Sequence, residues 1–224
     1  RRPPQAAGTL AAARGTPPGK LAGAIAARLR AGGHAAVAAM GPDACYTALR
    51  SVAMAGEYLR AEKPNHEVAA AVARGSAGKD EEGAELFEMR LDVRLEAKAA
   101  EEPPQLDVRV AQATNVGKVA SFLASTLVED RRTPALRGMG SAAVCQALKA
   151  VAIAQKYEPA AAAGMQLVLT PRVDKAFAAA AGAGGDGAAE GEGRRKAVEL
   201  VMKCRCVATA APEGALAKPQ GEAK

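Results

Sequence analysis

One stretch occurs twice in this chain, and that repetition limits the folds open to it. Thr133–Tyr157, TPALRGMGSAAVCQALKAVAIAQKY, reads as a short strand, a glycine turn and an amphipathic helix. Val144, Ala147, Leu148 and Val151 stand at i, i+3, i+4 and i+7, so one helix face is buried, with Ser141 as the expected N-cap. Ala35–Tyr58 repeats the pattern: Met40-Gly41 matches Met139-Gly140, Ala48-Leu49-Arg50 matches Ala147-Leu148-Lys149, and Tyr58 matches Tyr157. The copies lie about 99 residues apart in a chain of 224, which predicts two domains of about 100 residues. Their expected bounds are 8–98 and 105–207, with a flexible tail over 208–224.

The chain in order predicts the same elements twice. In the first copy these are a short strand over Gly8–Arg14, a helix over Lys20–Arg30, a strand over Ala35–Met40, a helix over Pro42–Tyr58 and a strand over Glu67–Ala73. A polar loop over Ser76–Gly83 follows. Glu85–Lys98 then alternates without a slip, Phe87, Met89, Leu91, Val93 and Leu95 against Glu88, Arg90, Asp92, Arg94 and Glu96, as a half-buried strand does. In the second copy Leu106, Val108 and Val110 alternate, and Asn115 caps a helix that buries Val119, Phe122, Leu123, Thr126 and Leu127. Beyond Tyr157, Met165–Leu169 is a strand before Pro171, Arg172–Gly193 is a long Ala/Gly-rich loop, and Ala197–Val207 is the last strand. Each half therefore reads β-α-β-α-β-β. The fold class is α+β: two tandem two-layer sandwiches, both helices on one sheet face, packed as an intrachain pseudo-dimer.

Composition narrows the function classes. A net charge of +6 and a pI near 9.3 suit a polyanionic partner. Cys45, Cys145, Cys204 and Cys206 have no zinc spacing, which fits a reducing intracellular compartment, and no apolar run reaches the roughly 18 residues a bilayer span needs. The Arg- and Ala-rich start fits the remnant of an organellar transit segment, mitochondrial or chloroplast. No enzyme is expected, since His34 and His66 have no nucleophile or second ligand arranged with them; no metal or cofactor is expected either. Gly138-Met139-Gly140-Ser141-Ala142-Ala143 has the spacing of a dinucleotide loop, but no ribose-binding acid follows the next strand, so it reads as a tight turn with close helix packing.

Anion contacts are better placed. Each copy starts its first helix with Gly-Lys (Gly19-Lys20, Gly117-Lys118), a modest anion site. The second hairpin has Arg172 and Lys175 entering its loop and Arg194, Arg195 and Lys196 leaving it, while the first loop is acidic at Asp80, Glu81 and Glu82. Copy two is therefore expected to carry any polyanion contact.

These residues match something specific. Asn115–Ala120, Gly138-Met139-Gly140, Ala147–Ala154 (ALKAVAIA), the strand Met165–Thr170 and the closing strand Ala197–Cys206 resemble the stage V sporulation protein S family. Copy one keeps Gly41, Ala48-Leu49-Arg50 and Val52–Ala55 of that pattern. The family is similar in fold to Alba nucleic-acid-binding domains, where a lysine between the first strand and helix and the hairpin arm contact nucleic acid. That resemblance implies contact roles for Lys20 and Lys118 and, on the arm, for Arg172, Lys175 and Arg194–Lys196. Two functions remain open: a non-enzymatic nucleic-acid-binding protein preferring RNA to DNA, or a scaffold subunit of a large ribonucleoprotein or cytoskeletal assembly. The scarcity of aromatics for base stacking, 3% with no Trp, speaks for the scaffold.

Overall fold

The computed structural model describes residues 8–79, 85–98, 106–128, 130, 132–157, 165–174 and 198–208. The first copy supplies β1 (Leu10–Ala12), α1 (Pro18–Gly32), β2 (His34–Met40), α2 (Pro42–Leu59), β3 (His66–Lys79) and β4 (Glu85–Ala97). The second supplies β5 (Leu106–Val110), α3 (Val116–Val128), β6 (Pro134–Met139), α4 (Ser141–Ala154), β7 (Met165–Val173) and β8 (Glu199–Ala208). Both follow the β-α-β-α-β-β order expected.

The strands form one eight-stranded sheet in the order β1-β2-β4-β3-β7-β8-β6-β5. In each half the first two strands are parallel, and the last strand runs antiparallel between the second and third. The halves join edge to edge where β3 meets β7 antiparallel, pairing Ala70 with Leu169 and Ala71 with Val168. Leu169 is the repeat equivalent of Ala70, so a pseudo-twofold axis passes through that pair. The expected pseudo-dimer is thus built as a continuous sheet.

Alternation decides which side chains meet the helices. Val37, Val72, Leu91 and Val93 of copy one and Leu136, Leu169, Leu200, Met202 and Cys204 of copy two lie within one buried core with Ile25, Leu49, Val52, Leu123, Leu148 and Val151 of the helices. The abundant alanines let these layers approach closely: Ala48, Ala55, Ala70 and Ala147 are fully buried. The duplication shows even in turns, since Thr16 Oγ1 accepts the Ala13 N–H at 3.0 Å and Thr114 Oγ1 the Ala111 N–H at 2.8 Å.

Three local expectations change. Ser141 is the first helical residue, not the cap: Gly140 holds that position at φ 83° and ψ 167°, as Gly41 does at φ 83° and ψ 166° for α2. That region of backbone space is essentially open to glycine alone, so Gly140→Ala should cost about 1–2 kcal/mol, seen as a lower midpoint in urea unfolding. The loop expected over Ser76–Gly83 begins later, because β3 continues to Lys79 through a register shift between Ser76 and Gly78. Likewise β7 runs through Pro171 to Val173. The close helix packing expected of this glycine run is met at Gly138, where a Cβ would lie 3.4 Å from the Val144 nitrogen, and the turn itself falls at Gly140.

Candidate nucleic-acid interface

The two sheet faces differ in charge. The face turned away from the helices carries many cations, and most of them are paired, the exposed Arg109 excepted. Arg90 bonds Glu88 at 2.6 Å, Arg205 lies 3.0 Å from Glu67, Arg137 reaches Asp107 and Asp174 at 3.1 and 3.0 Å, and Arg94 pairs with Glu96. His34 pairs with Asp92. Arg172 belongs to this face, exposed and 3.9 Å from Glu67. It lies on the other side of the sheet from Lys118, so the structure does not bring those two expected contacts to one surface. Lys175, Arg194, Arg195 and Lys196 lie outside the described residues, as do Asp80, Glu81 and Glu82 of the first loop.

The helix layer is different. Lys20 and Lys118 are exposed in the first turns of α1 and α3, and Asn115 caps α3 as expected, its Oδ1 accepting the Lys118 N–H at 3.0 Å. α2 and α4 cross with Cys45 against Cys145, and Tyr46 reaches into the second copy, its hydroxyl donating to the Val198 carbonyl at 3.4 Å. Beside this crossing lies a groove of about 1050 Å³, bordered by Arg14, Pro17, Tyr46, Arg50, Gly140 and Ser141. Arg14 pairs with Asp43 at 3.3 Å. Lys20, Arg50, Lys118 and Lys149 have no acidic partner among the described residues.

Lys149 also acts on the thiols. Cys145 is lowered from its ordinary value because it accepts a hydrogen bond from Cys45 and lies near the Lys149 ammonium, although burial opposes this. Cys45, the donor, is raised by that same bond and by burial.

From the crossing, α2 carries one stripe outward at i, i+4 and i+8, Arg50, Met54 and Tyr58. On α4 the equivalent Lys149 and Ile153 lie at i and i+4, and the equivalent Tyr157 follows in the turn just beyond the helix end. Tyr58 is 44% exposed and Tyr157 37%. Each tyrosine leans on the start of the neighbouring helix. The Tyr58 hydroxyl lies 3.8 Å from where a Cβ on Gly19 would project, and the Tyr157 hydroxyl is 2.9 Å from Ser121 Oγ, one turn beyond Lys118. Sequence reading found Lys20 and Lys118 but missed Arg14, Arg50 and Lys149. The available signal was that Arg50 and Lys149 keep a positive charge at equivalent positions of helices that otherwise match in apolar residues.

Among the described residues no three His, Cys, Asp or Glu side chains converge as a metal site, and no helix is long and apolar enough to cross a membrane. The profile of the stage V sporulation protein S family matches the chain twice, over residues 8–80 and 107–181. No curated protein matches it.

Proposed function

Because the chain belongs to the stage V sporulation protein S family, in two tandem copies, we propose that it is a non-catalytic nucleic-acid-binding protein that prefers RNA to DNA. The observation that carries this reading is the set of cations without acidic partners on the helix layer: Lys20 and Arg50 from one copy, Lys118 and Lys149 from the other. Of these only Arg50 borders the groove, with Arg14 and its partner Asp43; the other three stand elsewhere on the helix layer, and all four attract phosphate, whereas most arginines of the opposite face are paired with its own acids. The similarity of the family's fold to Alba domains supports the same conclusion. Arg172, Lys175 and Arg194–Lys196 are further phosphate contacts on this reading, as the family resemblance implies.

Binding of the full chain to RNA and to duplex DNA, measured against salt, tests this. Each phosphate contact contributes a slope of about 0.7 for a single strand and 0.9 for duplex DNA in log affinity against log salt. Arg50→Ala with Lys149→Ala should therefore flatten the single-strand slope by about 1.4. Arg194→Ala with Arg195→Ala should flatten it as well, and Lys79→Ala should change nothing. A wild-type slope near zero would return the chain to a scaffold role.

A further inference from the structure

We propose that Tyr58 and Tyr157 are base-stacking platforms at the two ends of one track, and that the nucleic acid taken is therefore single-stranded. The inference rests on the phosphate-binding reading above and adds what that reading lacks, a means of telling an unpaired strand from a duplex. The large exposed apolar side chains among the described residues are Met40, Tyr58, Phe87, Met139 and Tyr157. Four of the five form repeat-equivalent pairs, Met40 with Met139 and Tyr58 with Tyr157. Phe87 stands apart, its ring already covered by the Arg74 guanidinium at 3.3 Å.

Exposed aromatic surface costs stability unless something covers it. Two diverged copies keep it at the same place, beside a lysine each time. The Tyr157 ring is held by its hydroxyl contact with Ser121, which leaves it little rotamer freedom to lose when a base lands on it, while the Tyr58 hydroxyl lies beside Gly19 at the start of α1.

The chemistry of the stripe fits a strand whose bases are free. Arg50 and Lys149 flank the crossing of the two central helices, and the tyrosines stand eight residues further on, Tyr58 about 12 Å along α2 and Tyr157 in the turn just past the end of α4. Phosphates held at the inner cations and at Lys20 and Lys118 would put adjacent bases over the rings, with Met54 and Ile153 as the apolar floor between. In a duplex the bases face inward, stacked and paired, and the rings would meet only sugar and phosphate. Stacking is indifferent to base identity, so this surface would bind with little sequence preference.

The chain has three tyrosines and no tryptophan, so its intrinsic emission reports on these two rings and on Tyr46, and the leucine variants show which share of any quenching belongs to each platform. The experiment titrates the full chain with a short oligouridylate and, separately, with a duplex of the same length. The single strand should bind more tightly and quench tyrosine emission. Tyr58→Leu and Tyr157→Leu, which keep an apolar side chain over the helix, should each weaken single-strand binding roughly five- to hundredfold while leaving the salt slope unchanged. Tyr157→Phe should retain most of the affinity, because the ring remains. Circular dichroism of each variant separates lost binding from lost fold. Single-strand binding with emission and affinity indifferent to the leucine substitutions overturns the platforms and leaves the phosphate reading standing, as does a duplex bound equally well. Failure of both oligomers to bind overturns both readings.

Discussion

Ala70→Asp should lose about 3–5 kcal/mol of stability and unfold both repeats in a single transition. Ala70 is fully buried, its side chain in the core under the helices, and its backbone pairs with Leu169 across the seam between the copies. A carboxylate there has no cationic partner in the core and cannot reach water, the situation in which a buried charge costs several kcal/mol. Since a domain holds only about 5–15 kcal/mol in total, that is a large part of its stability. Because α2 and α4 pack on both half-sheets, the damage is shared. Gln155, the C-cap of α4, bonds Val72 of β3, and Tyr46 of α2 bonds Val198 at the entry to β8. Urea unfolding followed by circular dichroism and by tyrosine emission should give coincident curves with a lower midpoint. Burial pushes the introduced carboxyl up in the folded state, so the loss should be full only above that raised folded-state value and shrink as pH falls from there towards the unfolded-state value. Two separate transitions, one at the wild-type midpoint, would show that the repeats fold independently.

The sequence carried the repeat and the element order plainly, because alternation in Glu85–Lys98 and the 3.6-residue spacing of Val144–Val151 are local signals. The seam is a different kind of feature. Val68–Val72 is apolar on both faces, which marks a strand inside a sheet but not which strand lies beside it; that choice is made by backbone groups that every residue shares. Ser76–Lys79 looked like loop for a related reason. It continues the β3 ladder past the body of the core, where pairing needs no buried face and leaves no hydrophobic period. Ser141 was the better cap by residue type, but the turn from β6 demanded a positive φ, and only Gly140 could supply it.

The candidate site divides similarly. Lys20 and Lys118 were legible because a Gly-Lys step at a helix start is a local pattern. Arg50 and Lys149 stand in the matched runs, where in sequence they mark only the duplication. Their role depends on the crossing of α2 and α4, which brings the two halves of the chain together at Cys45 and Cys145. Tyr58 and Tyr157 were masked by a compositional argument: 3% aromatics is little, but placement outweighs number.

Gly56→Gln should raise stability by about 2–3 kcal/mol, because the two ends of the seam are not equally filled. At one end the Gln155 side-chain amide donates to the carbonyls of Val72 and Leu167, at 3.0 and 2.9 Å, and bridges the two strands beyond their last paired residues. The pseudo-twofold axis places Gly56 at the equivalent position at the other end, facing the carbonyls of Pro171 and Val68. There the ladder also stops: Leu167 turns its carbonyl to the seam, Pro171 turns the same way two steps of two residues later, and proline has no N–H to give. A cleft of about 220 Å³ remains, bordered by Gly56, Val68, Pro171 and Arg172. A Cβ on Gly56 would sit 3.8 Å from Val68 Cβ, an ordinary contact, so a side chain enters without displacing its neighbours. Replacing glycine inside a helix gains about 0.5–1 kcal/mol, and two hydrogen bonds about 0.5–1.5 kcal/mol each. For a chain of this size the thermal midpoint should rise by roughly 4–10 °C. Gly56→Ala gains the helix term alone, and Gln155→Ala should lose about 1–3 kcal/mol by leaving its two carbonyls without a donor. If the glutamine variant is no more stable than the alanine one, the two ends of the seam are not equivalent in the way the duplication requires.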